Sequence, residues 1–156
     1  MQLQQIKRST LSLLSMLLTG VVLLSFVTPR GGDHYQVYLN KKLIFQEYVT
    51  LGNHARSVQV DRDNYNGEID VVYSHCGEAG KSRVIKITDT ENNVLKQWSF
   101  GNGKDHKAAM NFKVKEILLA QKDNPVNKLN VYYTSEQLPK GKLLTSIVLV
   151  DRNTTP

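Results

Sequence analysis

The sequence predicts an all-β protein: an antiparallel β-sandwich, immunoglobulin-like or jelly-roll-like, with one short helical turn near residues 116–122 and an N-terminal hydrophobic signal helix. Three observations favour this class. Apolar and polar residues alternate with a period of two in eight or nine short segments after residue 33. Turn-forming residues separate these segments, and no amphipathic stretch is long enough to cover a parallel sheet. A closed barrel is the less favoured alternative.

The alternation begins directly after Gly31-Gly32. In the first segment Tyr35, Val37 and Leu39 share one face, as a half-buried strand requires. The predicted strands cover residues 34–40, 43–49, 58–60, 68–73, 82–88, 94–100, 110–115, 128–134 and 142–150. Polar connections such as Asn66-Gly67 and Asp89–Asn93 indicate tight turns, because Asn and Gly tolerate positive φ and Asx side chains bond to nearby backbone.

The predicted helical turn follows the clearest strand in the chain. Residues 110–115 alternate at every step, so one face of this strand meets the core and the other meets solvent. From Glu116 to Lys122 the residues become good helix formers, and Asp123-Asn124-Pro125 ends the pattern.

The N-terminus has the layout of a secretory signal. Lys7 and Arg8 precede Leu11–Val27, a run of 17 uncharged residues, which falls short of the roughly 20 that span a bilayer. The run does not end in an A-x-A-like pair of small residues, so an uncleaved anchor stays an alternative. The predicted organisation is a signal peptide or signal anchor over residues 1–28 and a single β-sandwich domain over residues 29–156.

Both alternatives place the domain outside the cytoplasm: in the periplasm, on the cell surface or in the medium, because Lys7 and Arg8 hold the N-terminus inside. Removing these two from the 20 basic residues leaves 18 against 14 acidic ones, a net charge of +4. The basic residues are scattered rather than gathered in a stripe with aromatics, which argues against a nucleic-acid partner. Membrane contact is expected only through an uncleaved N-terminal segment, and no cofactor is predicted.

Residues 74–82, with the sequence SHCGEAGKS, invite a functional interpretation. The segment resembles a phosphate-binding P-loop, but His75 stands where that motif has its first Gly. The motif also needs a helix after it, whereas the alternation of residues 83–87 predicts a strand. Nucleotide binding is therefore rejected.

The same loop supplies the candidate ligand-binding residues, His75, Cys76, Lys81 and Arg83. Cys76 is the only cysteine, so no intrachain disulfide forms. Lys81 and Arg83 are near enough to favour a thiolate. His75, however, is adjacent on a strand and points to the opposite face, which makes it a poor base for the thiol. A reactive thiol, an intermolecular disulfide and an ordinary half-buried cysteine all stay open, and no catalytic residue is assigned.

Metal binding has two possible sources in the sequence. His75 and Cys76 are able to join a site assembled across loops, although the four histidines show no pair at zinc spacing: His34, His54, His75 and His106. Residues 61–70 offer oxygen ligands for calcium, but the EF-hand pattern fails because Arg62 takes the first ligand position. Turn-forming Asx residues explain the same composition, and no metal ligand is assigned.

Two segments of the chain are similar to each other. Residues 69–74 (IDVVYS) resemble residues 129–134 (LNVYYT), and each is followed by a Gly-Lys pair, at 80–81 and 141–142. Both pairs are therefore predicted to lie in hairpin turns.

Three segments carry a resemblance to a known family: residues 31–35 (GGDHY), 73–77 (YSHCG) and 132–141 (YYTSEQLPKG). They resemble a family of small exported bacterial proteins with no assigned activity. The resemblance implies a bacterial envelope or secreted setting and transfers no functional residue. With no assembled chemistry, the sequence predicts an exported, non-enzymatic module that binds an unknown protein or polysaccharide partner through its loops. The alternative is a thiol-dependent or metal-binding protein centred on His75-Cys76.

Overall fold

Ten β-strands in two sheets make up most of the chain that the computed structural model describes, namely residues 32–49, 55–121 and 127–150. All these residues belong to the second of the chain's two compact units, Gly31–Pro156. The predicted signal segment lies outside the described residues, as do His54 and the predicted helix stop at residues 123–125. Within the described ranges, no helix has the length and apolar character needed to cross a membrane.

The strands are β1 (His34–Leu39), β2 (Lys42–Tyr48), β3 (Arg56–Val60), β4 (Glu68–His75), β5 (Glu78–Ala79), β6 (Arg83–Thr88), β7 (Val94–Gly101), β8 (Met110–Lys113), β9 (Lys128–Thr134) and β10 (Lys142–Leu149). One α-helix, α1 (Val114–Gln121), follows β8, and a single 3-10 turn (Arg62–Asn64) precedes β4.

The first sheet has the order β2-β1-β4, and the far edge of β4 is shared by β5 and β8. The second sheet has the order β3-β10-β9-β6-β7. Neighbouring strands are antiparallel throughout, apart from the parallel pair β3 and β10. The predicted all-β sandwich is thus confirmed, with one parallel pair that local alternation does not reveal.

The inward faces of the two sheets share one hydrophobic core. Both contribute fully buried aliphatic side chains, among them Val37, Val71, Ile85 and Val131. Aromatic rings join the sheets: Tyr73 stacks on Tyr133 with ring centres 4.3 Å apart, and Trp98 stacks on Phe112 at 4.9 Å. Rings of this size supply much of a sandwich's buried area.

The strand predicted to reach Lys115 stops at Lys113, and α1 begins two residues earlier than expected. Val114 and Ile117 are three residues apart, so a helix places both on one face, and both are buried in the core. The indole Nε1 of Trp98 donates to Glu116 Oε2 at 2.8 Å and fixes the first turn of the helix.

The two similar segments lie in different sheets and face each other. Tyr73 of β4 and Tyr133 of β9 hold equivalent positions in the two segments, and these are the rings that stack. Gly141 precedes β10, which pairs with β9 as a hairpin. Gly80-Lys81 instead carries the chain from β5 in the first sheet to β6 in the second, so the predicted hairpin turn is wrong there.

Candidate functional site

The four residues predicted to bind a ligand lie in the segment that leaves β4 and enters β6. His75 ends β4 and is buried, and Cys76 follows in the turn to β5 and is exposed. Lys81 is exposed, whereas Arg83 begins β6 with 5% of its surface exposed. The side chains of His75 and Cys76 both contact Asp33, whereas Arg83 contacts other residues.

His75 is the centre of a buried hydrogen-bond network. Its Nδ1 lies 3.1 Å from Asp33 Oδ2, and its Nε2 lies 3.0 Å from the Tyr133 hydroxyl and 3.1 Å from Ser135 Oγ. The Tyr73 hydroxyl donates to the same Asp33 oxygen at 3.0 Å. With Nδ1 donating to the carboxylate, Nε2 accepts from a hydroxyl. We call Asp33, Tyr73, His75, Tyr133 and Ser135 the polar cluster.

The two phenols of the polar cluster keep their protons. Burial raises the pKa of Tyr73, and the charge of Asp33, which accepts the Tyr73 hydroxyl, raises it further. Burial likewise raises the pKa of Tyr133. In an unfolded chain both side chains ionise near pH 10.

These shifts predict a loss of stability in alkali. The folded pKa lies above the unfolded one, so the stabilisation is complete below about pH 10 and is lost as the pH rises further. Each such tyrosine contributes a slope of up to about 1.4 kcal/mol per pH unit. Denaturant titrations from about pH 8 to about pH 11 should give a shallower decline for Tyr73→Phe than for the wild type. Tyr132→Phe, on the outer face of β9, is the matched control, and parallel profiles for all three proteins would contradict this account.

Ser135, His75 and Asp33 stand in the order of a nucleophile, a base and the group that orients the base. The serine hydroxyl is buried, however, and it already accepts the backbone N–H of Leu138 at 3.2 Å. The imidazole nitrogen that would take its proton is also shared with Tyr133. The arrangement therefore orders the end of the core rather than exposing a nucleophile to a substrate.

Cys76 occupies a two-residue turn in which it and Gly77 both have positive φ, 52° and 92°. This backbone matches the tight hairpin turn between β4 and β5. The thiol donates to Asp33 Oδ1 at 3.4 Å. The Arg83 guanidinium, which was expected near the thiol, donates to the backbone carbonyls of Gly101 and Ala108.

Lys81 contributes through its backbone. Its N–H donates to Gln137 Oε1 and its carbonyl accepts the N–H of Glu136, each at 3.0 Å. Lys81 therefore joins the β5–β6 connection to the β9–β10 loop.

Arg83 holds both ends of the β7–β8 loop. Its Nε donates to the carbonyl of Gly101 at 3.2 Å and its Nη1 to the carbonyl of Ala108 at 2.6 Å. Between them, the N–H of Gly103 donates to the carbonyl of Gly80 at 2.9 Å. Burial lowers the pKa of Arg83 from its ordinary value. The loop that these contacts fix carries several exposed side chains, among them His106 and Lys107.

An open groove of about 610 Å³ runs along the outer face of the first sheet, and we call it the outer groove. Its floor comes from β1 and β4, through His34, Gln36, Tyr38 and Val72. Gly77 of the β4–β5 turn and the loop residues His106 and Lys107 form its wall.

The floor of the outer groove is a connected polar surface. The Tyr38 hydroxyl donates to Gln36 Oε1 at 2.9 Å, and Gln36 Nε2 donates to Gln46 Oε1 of β2 at 2.7 Å. The sequence analysis missed this site. Its only local signal is that His34, Gln36 and Tyr38 alternate with the core residues of β1, and the loop that completes the groove lies about 70 residues further along the chain.

A second cavity, of about 510 Å³, has lining residues that include Tyr65, Leu118, Gln121 and Asn127. Gln121 and Asn127 flank residues outside the described ranges, so no ligand is assigned to this cavity.

The carboxylates of the possible calcium loop form hydrogen bonds and an ion pair within the protein. Asp61 Oδ1 accepts the backbone N–H of Asn64 at 3.2 Å, and Asp70 binds Lys41 at 3.2 Å. Across residues 32–49, 55–121 and 127–150, no group of three or more His, Cys, Asp or Glu side chains is placed to hold a metal ion.

The chain is therefore an all-β, two-sheet protein with a buried polar cluster and an open polar groove on its first sheet. No family model matches it, and no curated protein is significantly similar to it.

Proposed function

We propose that this chain is an exported, non-enzymatic binding module of the cell envelope or the secreted fraction, and that the outer groove holds a polysaccharide chain. The observation that carries the proposal is the outer groove itself. Its volume of about 610 Å³ falls within the range of about 300–1,000 Å³ usual for ligand sites. Export rests on the basic residues and the apolar run of the first 28 residues, and on the resemblance to exported bacterial proteins.

The chemistry of the groove suits a polyhydroxylated chain. The amide of Gln36 and the hydroxyl of Tyr38 supply both donors and acceptors, which match the hydroxyl groups of a sugar. An open groove admits an extended chain, whereas a small metabolite needs a site that encloses it.

An aromatic residue extends the groove along the sheet. Tyr48 of β2 is 64% exposed, and its ring centre lies 5.9 Å from that of His34. A planar ring exposed beside hydrogen-bonding groups offers the apolar face on which the C–H side of a sugar ring packs.

Replacing Gln36 by Ala should weaken saccharide binding about tenfold, because the amide joins Tyr38 and Gln46 into one surface. The full chain, kept soluble in a mild detergent, is titrated calorimetrically with a panel of bacterial and plant polysaccharides. Lys86→Ala, on the outer face of the second sheet, is the matched control and should leave the affinity unchanged.

Cys76→Ala separates the proposal from thiol-dependent chemistry. The binding module requires this variant to bind like the wild type. If Cys76→Ala loses binding while Gln36→Ala binds fully, the thiol and not the outer groove is responsible for binding. A wild-type chain that retains no polysaccharide of the panel would also refute the proposal.

A further inference from the structure

We infer that the outer groove selects acidic saccharides, chains that carry carboxylate groups, and this inference rests on the proposed function. The first observation is the charge of the lining. The side chains that line the groove include one ammonium group, on Lys107, and two imidazoles, on His34 and His106. Among the lining residues that the structure describes, none is an aspartate or glutamate, so the lining carries no negative charge at neutral pH.

Two of the carboxylates next to the lining residues accept hydrogen bonds. Asp33, beside His34, accepts hydrogen bonds from Tyr73 and His75 inside the polar cluster. Asp105, beside His106, accepts a backbone N–H at 2.7 Å within its own turn. Asp33 is thus engaged within the polar cluster, whereas Asp105 is exposed in the loop and opposes the selectivity.

Arg83 adds a fixed positive charge beneath the wall of the groove. It is 5% exposed, and within the described residues it forms no ion pair with a carboxylate. Its two bonds to carbonyls hold the loop that carries His106 and Lys107. Because these bonds fix the backbone of the loop at both ends, the loop loses less conformational entropy when a ligand binds to it.

The size and shape of the groove favour a chain over a small anion. A free carboxylate or phosphate requires only a few convergent donors, whereas this surface extends over two strands and a loop. Gln36 and Tyr38 on the floor can form hydrogen bonds with the hydroxyl groups of a sugar. Lys107 on the wall can form an ion pair with a sugar carboxylate. A second exposed acidic residue, Glu78, lies beside Gly77 and also opposes this selectivity.

The test compares an oligogalacturonate with its carboxyl-reduced, neutral counterpart in calorimetric titrations of the full chain. The acidic chain should bind at least about tenfold more tightly, and raising NaCl from about 50 to about 500 mM should remove most of that difference. Lys107→Gln should weaken binding of the acidic chain about tenfold and leave the neutral chain within about twofold. Glu78→Gln should strengthen binding of the acidic chain alone.

Lys104→Gln is the matched control, since Lys104 is exposed in the same loop but does not line the groove. Equal affinity for both chains, with Gln36→Ala still weakening them, would overturn the acidic selectivity and leave the proposed function standing. Unchanged binding of the acidic chain in Lys107→Gln would overturn it as well. Tighter binding to phosphatidylglycerol vesicles than to the oligogalacturonate would overturn the inference and identify an anionic membrane surface as the ligand of the groove. Failure of every saccharide to bind would refute the proposed function itself.

Discussion

Replacing Tyr133 by Ala should lower the free energy of unfolding by about 4 kcal/mol. The side chain is fully buried, its ring stacks on Tyr73 at 4.3 Å, and its hydroxyl lies 3.0 Å from His75 Nε2. Removing the ring leaves a cavity between the two sheets, and removing the hydroxyl takes a partner from the buried imidazole.

Tyr133→Phe divides this loss into its two parts. The variant keeps the ring and loses only the hydroxyl, so it should cost about 1–2 kcal/mol. Urea titrations at neutral pH measure the free energy of unfolding of both variants. If the slope of that free energy against urea concentration is the same as in the wild type, the unfolded state is unchanged and the difference arises in the folded state. A loss for Tyr133→Phe as large as that for Tyr133→Ala would mean that the hydroxyl, and not the ring, holds the sheets together.

Replacing Gly80 by Ala should cost about 3 kcal/mol, although the change adds only one methyl group. A Cβ at this position would overlap the Tyr133 hydroxyl and lie 3.2 Å from His75 Nε2 and 3.0 Å from Arg83 Cγ. These neighbours are buried, so the methyl group displaces either the polar cluster or the arginine that holds the β7–β8 loop.

A double variant tests the cause. In Gly80→Ala combined with Tyr133→Phe the overlapping oxygen is gone, so the two losses should sum to more than the loss of the double variant. Gly32→Ala, where a Cβ meets no atom within 4 Å, is the control and should leave the stability nearly unchanged. Strict additivity would show that the methyl group acts elsewhere than on the Tyr133 hydroxyl.

The arrangement of the core explains which parts of the fold local sequence predicts. Alternation in residues 34–39 marks a strand with one buried face, and β1 spans these residues. The turn at Asp89–Asn93 is also local, since Asp89 Oδ1 accepts the N–H groups of Glu91 and Asn93. The two-residue strand β5 and the early start of α1 escaped prediction, because both depend on which partner lies beside them.

The candidate site, like the fold, is predicted from sequence only where its contacts are local. His75 was singled out from sequence, but the groups that define its role lie 42 residues before it, at Asp33, and 58 residues after it, at Tyr133. Arg83 was expected beside the thiol and instead holds a loop. The outer groove needs β1, β4 and the β7–β8 loop together, and no spacing along the chain indicates that combination.

The sequence by itself determined the all-β class, most of the strands and the segment around His75, because alternation and turn chemistry act over a few residues. Only the tertiary structure decided the sheet order, the parallel pair, the stacking of Tyr73 on Tyr133, and the placement of His106 and Lys107 against β1. Contacts between sheets depend on which strands pair and in which register, and the period of two is the same for every strand.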